Sequence, residues 1–255
     1  MKRKFLIKND ANSQSIAVLE DDVLVEYLHQ GKDELVRGTV VMGLVKEYQS
    51  SLDAYFIDTG SYISGFLPGR FLNRKIKQGM LVALQVVKPS VKGKGMTLSG
   101  VISISGKYCV ISSDANKLRV SAKIKDKDEH NRLMDIAKGY LPEGLGIIIR
   151  TNAAGVLAEN IIRDIKNTAA EHKRIISAQS GPGTVVYRPK GIIDEVMRHF
   201  APGNDMAYFD DMDLFNTYFG QFAVPKKPAP VKFYNKDYDM FDFFNISNKI
   251  KAARG

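Results

Sequence analysis

The stretch RGTVVMGLVKEYQSSLDAYFIDTGSYISGFLP, residues 37–68, decides the fold. It opens on Arg37-Gly38, runs through a Val-rich strand, and passes turn residues into AYFID and then GFLP. Further on, MLVALQVVK and MTLSGVISIS repeat the theme of short β-branched runs bounded by turn residues. Five such strands within roughly sixty-five residues, with no helix of any length between them, predict a small closed barrel. The connection FLPGRFLNRKIKQGM has room for one helical turn. Tyr55, Phe56, Tyr62 and Phe66 crowd into this region, either as core or as a stacking surface for nucleic-acid bases. Adjacent residues of a strand point to opposite faces, so one of Tyr55 and Phe56 faces the core and the other solvent. Phe56 and Phe66 lie on consecutive strands and are expected as cross-strand neighbours.

Working outward, residues 3–8 and 15–27 read as a hairpin region whose second stretch is interrupted by an acidic turn, Glu20-Asp21-Asp22. GKYCVISSDANKLRVSAKI, 106–124, predicts two strands around an Asp-Ala-Asn turn. A helix is expected over 126–139, capped by Asp126 or Asp128 and stopped by Gly139. LPEGLGIIIRTNAAG then gives a turn, a buried strand and a sharp exit, followed by a charged helical pattern from Leu157 to about Ser177, broken by Gly181-Pro182-Gly183. The remainder alternates TVVYRP (strand), IIDEVMRHF (helix), MAYFDD (strand) and MDLFNTYFGQFA (helix), then VPKKPAPVKFY, a linker-like strand, and a short aromatic segment before the last residue.

At 255 residues, 44% hydrophobic and 25% charged, the chain is globular and long enough for one large domain or two to three small ones. A net charge of +9 favours an anionic partner, nucleic acid or an anionic membrane surface. The opening MKRKFLIKNDANS lacks the long apolar block of a secretory signal. No window has the length of a membrane span, and the chain reads as cytoplasmic with no membrane partner. Cys109 is the single cysteine, which excludes an internal disulfide and a cysteine-based zinc site. From Arg70 to Lys94 the charged residues are Arg70, Arg74, Lys75, Lys77, Lys88, Lys92 and Lys94, with no Asp or Glu among them. A one-signed run in the barrel that also holds the aromatics points to an RNA or DNA surface, against the alternative of a merely solvated face.

IIIRT, 147–151, delivers the guanidinium of Arg150 and the hydroxyl of Thr151 at the end of a buried strand. Both suit phosphate, and backbone amides in the following turn can add donors; an ordinary strand end is the alternative. His29, His130, His172 and His199 are scattered without metal-ligand spacing, and no phosphate-binding glycine loop occurs. Asp210-Asp211 with Asp213 reads as a helix cap rather than a magnesium site, and Asp237, Asp239 and Asp242 read the same way. No catalytic or metal-ligating residue declares itself.

The order of these motifs, the opening hairpin, residues 37–68, KGMTLSG and EGLGIIIRT, resembles the amino-terminal half of the RNase E/G family of endoribonucleases, most closely over Arg37–Phe66 and Pro142–Thr151 and diffusely after about residue 180. The barrel is similar to the OB-fold RNA-binding domain repeated in the largest small-subunit ribosomal protein. The resemblance implies an α+β multidomain chain, with an OB-fold β-barrel (37–101) and a 5′-phosphate-sensor-like region (102–184) inserted into an RNase H-like α/β subdomain (1–36 and 185–245). Residues 246–255 would be a tail where the catalytic subdomain begins. By the same resemblance Phe56, Phe66 and Lys94 contact RNA, with Lys88 and Lys92 adding attraction from the basic run. Arg150 and Thr151 would recognise a 5′-monophosphate, with Gly106 and Val110 beside that pocket. The family's magnesium-binding aspartates, in a stretch like VIDxTEAL…IDVN, and its zinc-sharing cysteine pair do not occur in this sequence. The expectations are therefore single-stranded RNA binding, no cofactor held here (Mg²⁺ only with the catalytic part), and no cleavage by this polypeptide alone. The open alternatives are an active or split endoribonuclease and a ribosome- or protein-binding adaptor. Met240, Phe241, Phe243, Phe244 and Ile246 are expected as an exposed apolar stub, inviting a separate catalytic half or self-association.

Overall fold

The computed structural model describes every residue except 1, 33, 61–63, 91–94, 190, 198–199, 202, 223–228 and 255, and the side chains of 251–254. The chain divides into two compact units, Met1–Glu34 with Lys190–Gly255, and the continuous stretch Leu35–Pro189. The first unit opens with β1 (Arg3–Asn9), β2 (Ser13–Glu20) and β3 (Val23–Gly31), an antiparallel meander. The β2–β3 turn is Asp21-Asp22, both at positive φ (47° and 66°), where Asp is among the few non-glycine residues at ease.

In the second unit the expected barrel is present. β4 (Val40–Gln49), β5 (Ala54–Asp58) and β6 (Gly65–Pro68) form a meander; β7 (Leu81–Lys88) pairs with β4, and β8 (Met96–Ser99) closes the ring between β6 and β7. The β6–β8 pair is parallel and the other barrel pairs are antiparallel. The interior is filled by alternate residues, among them Val41, Val45, Ile57, Leu67, Leu84, Val86 and Leu98. The helical turn expected in the connection after β6 falls at Gly69–Phe71.

A four-stranded sheet follows, in the order β11 (Leu118–Val120), β12 (Gly146–Ile149), β10 (Cys109–Ser112), β9 (Ser103–Ser105). Cys109, Ile111, Ile147, Ile149 and Val120 bury one face with α1 (Lys127–Tyr140) and α2 (Ala158–Ile176), whose contributions include Leu133, Ala137, Ile161 and Ile165. Asp126 caps α1, accepting from the Glu129 amide at 2.9 Å. Gly139 does not stop this helix; it continues to Tyr140 and ends at an extended Leu141, the conformation that Pro142 imposes on its predecessor. β13 (Val185–Tyr187) returns to pair with β4.

The chain then completes the first unit with α3 (Ile192–Met197), β14 (Asp205–Phe209), α4 (Met212–Phe222), β15 (Val231–Phe233), α5 (Met240–Phe243) and α6 (Ile246–Arg254). The sheet order is β15-β14-β1-β2-β3, with β14 parallel to both β1 and β15. Alternation along β1 covers both faces: Phe5 and Ile7 pack with Ile193, Met197 and Tyr218, while Leu6 packs with Met240, Phe241 and Ile246. The expected exposed stub is corrected here. Met240, Phe241 and Ile246 are buried, with Phe244 packed against them, because the second face of the sheet supplies Leu6, Ala17 and Leu19 as partners. Of that group Phe243 is exposed. No helix among the described residues is long and apolar enough to cross a membrane.

Candidate nucleic-acid interface

On the barrel, the backbone registers align one residue from each strand in a row across the outer face. The row runs Glu47 (β4), Phe56 (β5), Phe66 (β6), Thr97 (β8), Lys88 (β7). Phe56 and Phe66 are the expected cross-strand neighbours, with ring centroids 6.1 Å apart in an edge-to-face arrangement. Both rings are half-buried, while their neighbours Ile57 and Leu67 fill the interior. Tyr55 is the ring that turns inward, against the barrel core and 4.7 Å from Tyr48. The row is polar at both ends and opposite in sign, with exposed Glu47 on one side and exposed Lys88 on the other. A nucleotide stacked on the phenylalanines would have its phosphate drawn toward Lys88 and repelled from Glu47. Lys92 and Lys94 lie outside the described residues. The described cations of the basic run, Arg70, Arg74, Lys75, Lys77 and Lys88, are all exposed, and among the described residues none of them forms an ion pair.

The second constellation lies on the four-stranded sheet, on the face turned away from α1 and α2. Alternation places Arg119 and Ser121 from the β11 strand and its exit, Ile148 of β12 and Arg150 just past its end, and Val110 from β10 on this face. Arg150 Nη1 donates to the Gly106 carbonyl at 3.1 Å, and its amide donates to the Tyr108 carbonyl at 2.8 Å. Thr151, exposed in a helical turn spanning Thr151–Ala153, shares a 2.8 Å hydrogen bond with the Ser121 hydroxyl. Two hydroxyls joined by one bond keep one proton for an outside acceptor. Gly106 is packed where any side chain would run into Thr168 Oγ1 and Asp164. Arg150, Thr151 and Gly106 are thus joined in one constellation, and Val110 sits on the same sheet face one strand over.

Three amides of the turn after Thr151, those of Ala153, Ala154 and Gly155, are spent inside the protein and do not face a ligand. The Ala153 and Ala154 amides donate to the carbonyls of Arg150 and Thr151, and the Gly155 amide to Glu129 Oε1 at 2.9 Å. Glu129 also takes two 2.7 Å bonds from Arg132, which reaches the Val156 carbonyl at 3.1 Å. Arg132 and the Gly155 amide hold the Glu129 carboxyl down to about 2. A carboxyl depressed below its unfolded value of about 4.3 stabilises the fold above that pH, and the contribution disappears as pH falls from about 4 through 2. Replacing Glu129 by Gln is accordingly expected to lower the thermal midpoint near neutral pH. The gap from the wild type should close as pH drops through this window, as followed by circular dichroism melts; a gap independent of pH would contradict the assignment.

Sequence reasoning did not single out Ser121, Asn152 or Asp164. Ser121 follows Arg119 at strand spacing in LRVSAK, a weak signal; Asp164 meets this loop from more than fifty residues away, and no local pattern announces it. Cys109 is buried, and burial with the nearby Asp164 charge pushes its thiol up to about 12, which removes it as a nucleophile. Asp211 caps α4 through the Leu214 amide at 2.9 Å and takes the Asn9 side-chain amide at 2.8 Å; Asp210 accepts the Asn9 backbone amide at 2.9 Å. The helix-cap reading of this acidic run therefore holds. Among the described residues no three His, Cys, Asp or Glu side chains converge to hold a metal ion.

These observations define a mixed α+β protein whose barrel presents a paired aromatic and basic face and whose neighbouring sheet presents an arginine–hydroxyl pair. The Ribonuclease E/G family matches residues 103–255, more than half of the sequence, and the chain belongs to that family. Ribonuclease G of Salmonella typhimurium (strain SL1344) is 23% identical over 99% of the chain, which spans 57% of that relative. A Ribonuclease E/G-like protein of Pyropia yezoensis is 27% identical over 84% of the chain and 46% of its own length. Ribonuclease E of Synechocystis sp. is 30% identical over 51% of the chain and 21% of its own length. The chain thus spans about half the length of the first two of these relatives. A solved multidomain protein with nucleic acid binding domains from Streptococcus pneumoniae aligns at a TM-score of 0.26 with 11% identity over 70% of the chain, a likeness too slight to bear on fold or function.

Proposed function

We propose that the chain binds single-stranded RNA without sequence preference and recognises a 5′-monophosphate end, as the amino-terminal part of a ribonuclease of this family. The observation that carries the reading is the Phe56–Phe66 pair, held solvent-side on the barrel in a row that ends at Lys88. Rings so placed stack on any base, and cations beside them follow the backbone. Arg150 and Thr151 supply a fork and a hydroxyl for the terminal phosphate, with Gly106 fixing the guanidinium and Val110 lining the face. Strand order and closure support reading the barrel as an OB-fold. The order β15-β14-β1-β2-β3 likewise supports an RNase H-like reading of the first unit, whose acids at Asp210 and Asp211 are engaged in local structure.

The test is affinity for matched short RNAs bearing 5′-monophosphate or 5′-hydroxyl, measured by fluorescence anisotropy over a salt series. Three or four phosphate contacts at a slope of about −0.7 each give a loss of roughly 20- to 50-fold between about 50 and 200 mM salt. Tighter binding of the monophosphate is expected, and equal affinity for the two ends removes the end-recognition claim. A flat salt response removes RNA as the partner and favours a protein-binding adaptor. The reading also holds that the chain alone binds without cutting. RNA cleaved in Mg²⁺ by purified protein, and spared by Asp210→Asn, would instead place a nuclease centre in the first unit.

A further inference from the structure

We propose that Asp164 is the positioning residue of the terminal-phosphate site. The proposal rests on the reading of Arg150 and Thr151 as the phosphate grip. Asp164 reaches from α2 to the loop between β9 and β10 and accepts three consecutive backbone amides. Lys107 donates to Oδ1 at 2.9 Å, and Tyr108 and Cys109 donate to Oδ2 at 2.7 and 3.2 Å. The Cys109 thiol adds a longer contact at 3.4 Å. The carbonyls of the same loop point the other way and hold the phosphate segment. Gly106 takes Arg150 Nη1, Lys107 takes the Asn152 side chain at 2.9 Å, and Tyr108 takes the Arg150 amide.

One carboxylate therefore orders a loop by its donors, and the loop orders Arg150 and Asn152 by its acceptors. Charge-assisted bonds to a run of amides are the strong kind, and here they also occupy a concavity that would otherwise attract an anion. The consequence is chemical selectivity. Phosphate cannot settle on the loop amides, so it is left to the side chains of Arg150 and Thr151. The glycine at 106 belongs to the same device, since a Cβ there would stand 2.6 Å from Asp164 Oδ2.

The experiment compares the full chain with Asp164→Ala and Gly106→Ala, using the same 5′-monophosphate and 5′-hydroxyl RNAs. Amide hydrogen exchange is followed at Lys107, Tyr108 and Cys109. Asp164→Ala is expected to speed exchange of those three amides by roughly 10- to 100-fold and to cut the preference for the monophosphate by about fivefold or more, with 5′-hydroxyl RNA bound as before. Gly106→Ala disturbs the same contact from the other side, so it should reduce the preference too, and it keeps the test decisive if Asp164→Ala fails to fold. A purely structural role would weaken both RNAs equally, which overturns the proposal. So does a wild-type-sized preference in a variant whose loop amides exchange freely, with the phosphate grip left standing. A wild type that binds both ends equally removes the grip and its positioning residue together.

Discussion

Replacing Phe56 and Phe66 together by alanine is expected to weaken single-stranded RNA binding by roughly 30-fold or more, since each stacked base contributes at least about 1 kcal/mol. The double substitution is the informative one. The rings touch edge to face, so either alone can shift toward the space left by the other and mask part of the loss. Both stand on the outer face while Ile57 and Leu67 fill the barrel, so the fold should survive with a modest fall in thermal midpoint. Phe56→Leu is the companion variant, because it keeps apolar area and removes the π-face. If leucine binds RNA as well as phenylalanine does, the contact is hydrophobic and not stacking. A loss below about threefold in the double variant, with circular dichroism unchanged, would remove the barrel face from the RNA path.

Substituting Arg150 by alanine is expected to cost 10- to 100-fold in affinity for 5′-monophosphate RNA, about 1.5–3 kcal/mol for hydrogen bonds to a charged group, while 5′-hydroxyl RNA is bound nearly as before. Arg150→Lys should recover only part of it, because an ammonium is a point charge without the planar fork and lacks the geometry of the bond now made to the Gly106 carbonyl. Thr151→Val, isosteric without the hydroxyl, should fall between wild type and Arg150→Ala. An equal loss on both RNAs would mean that Arg150 tracks backbone phosphates in general and reads no end.

The barrel was legible because its information is local. Each strand alternates over a few residues, the turns are marked, and Phe56 faces Phe66 because a hairpin joins adjacent strands. The inward turn of Tyr55 followed from the two-residue period once one ring of the pair was outside. Closure through the parallel β6–β8 pair was not written in any local pattern, and neither was the fate of the last aromatic segment. Composition showed Met240, Phe241 and Ile246 as apolar, but their partners Leu6, Ala17 and Leu19 lie more than two hundred residues earlier, and only the sheet's second face reveals the need for them. The same limit applies at Arg150 and Thr151. IIIRT announced a guanidinium and a hydroxyl, whereas the engagement of the Ala153, Ala154 and Gly155 amides by Glu129 and the neighbouring carbonyls depends on chain geometry. Gly139 fails to end α1 for the opposite reason: a residue with no side chain permits a stop without compelling one, and Pro142 does the compelling.

The central strand of the first unit has an awkward history during synthesis. β1 emerges first, yet its parallel neighbour β14 is about two hundred residues behind it, which at roughly 5–20 residues per second is a wait of about 10–40 s. Throughout that interval Phe5, Leu6 and Ile7 have only β2 and β3 for company, while Leu35–Pro189 is free to fold as it is made. A nascent chain arrested once Pro189 has cleared the ribosome should therefore carry a folded second unit together with a sticky, half-built hairpin sheet, the state in which a holdase chaperone would find this protein.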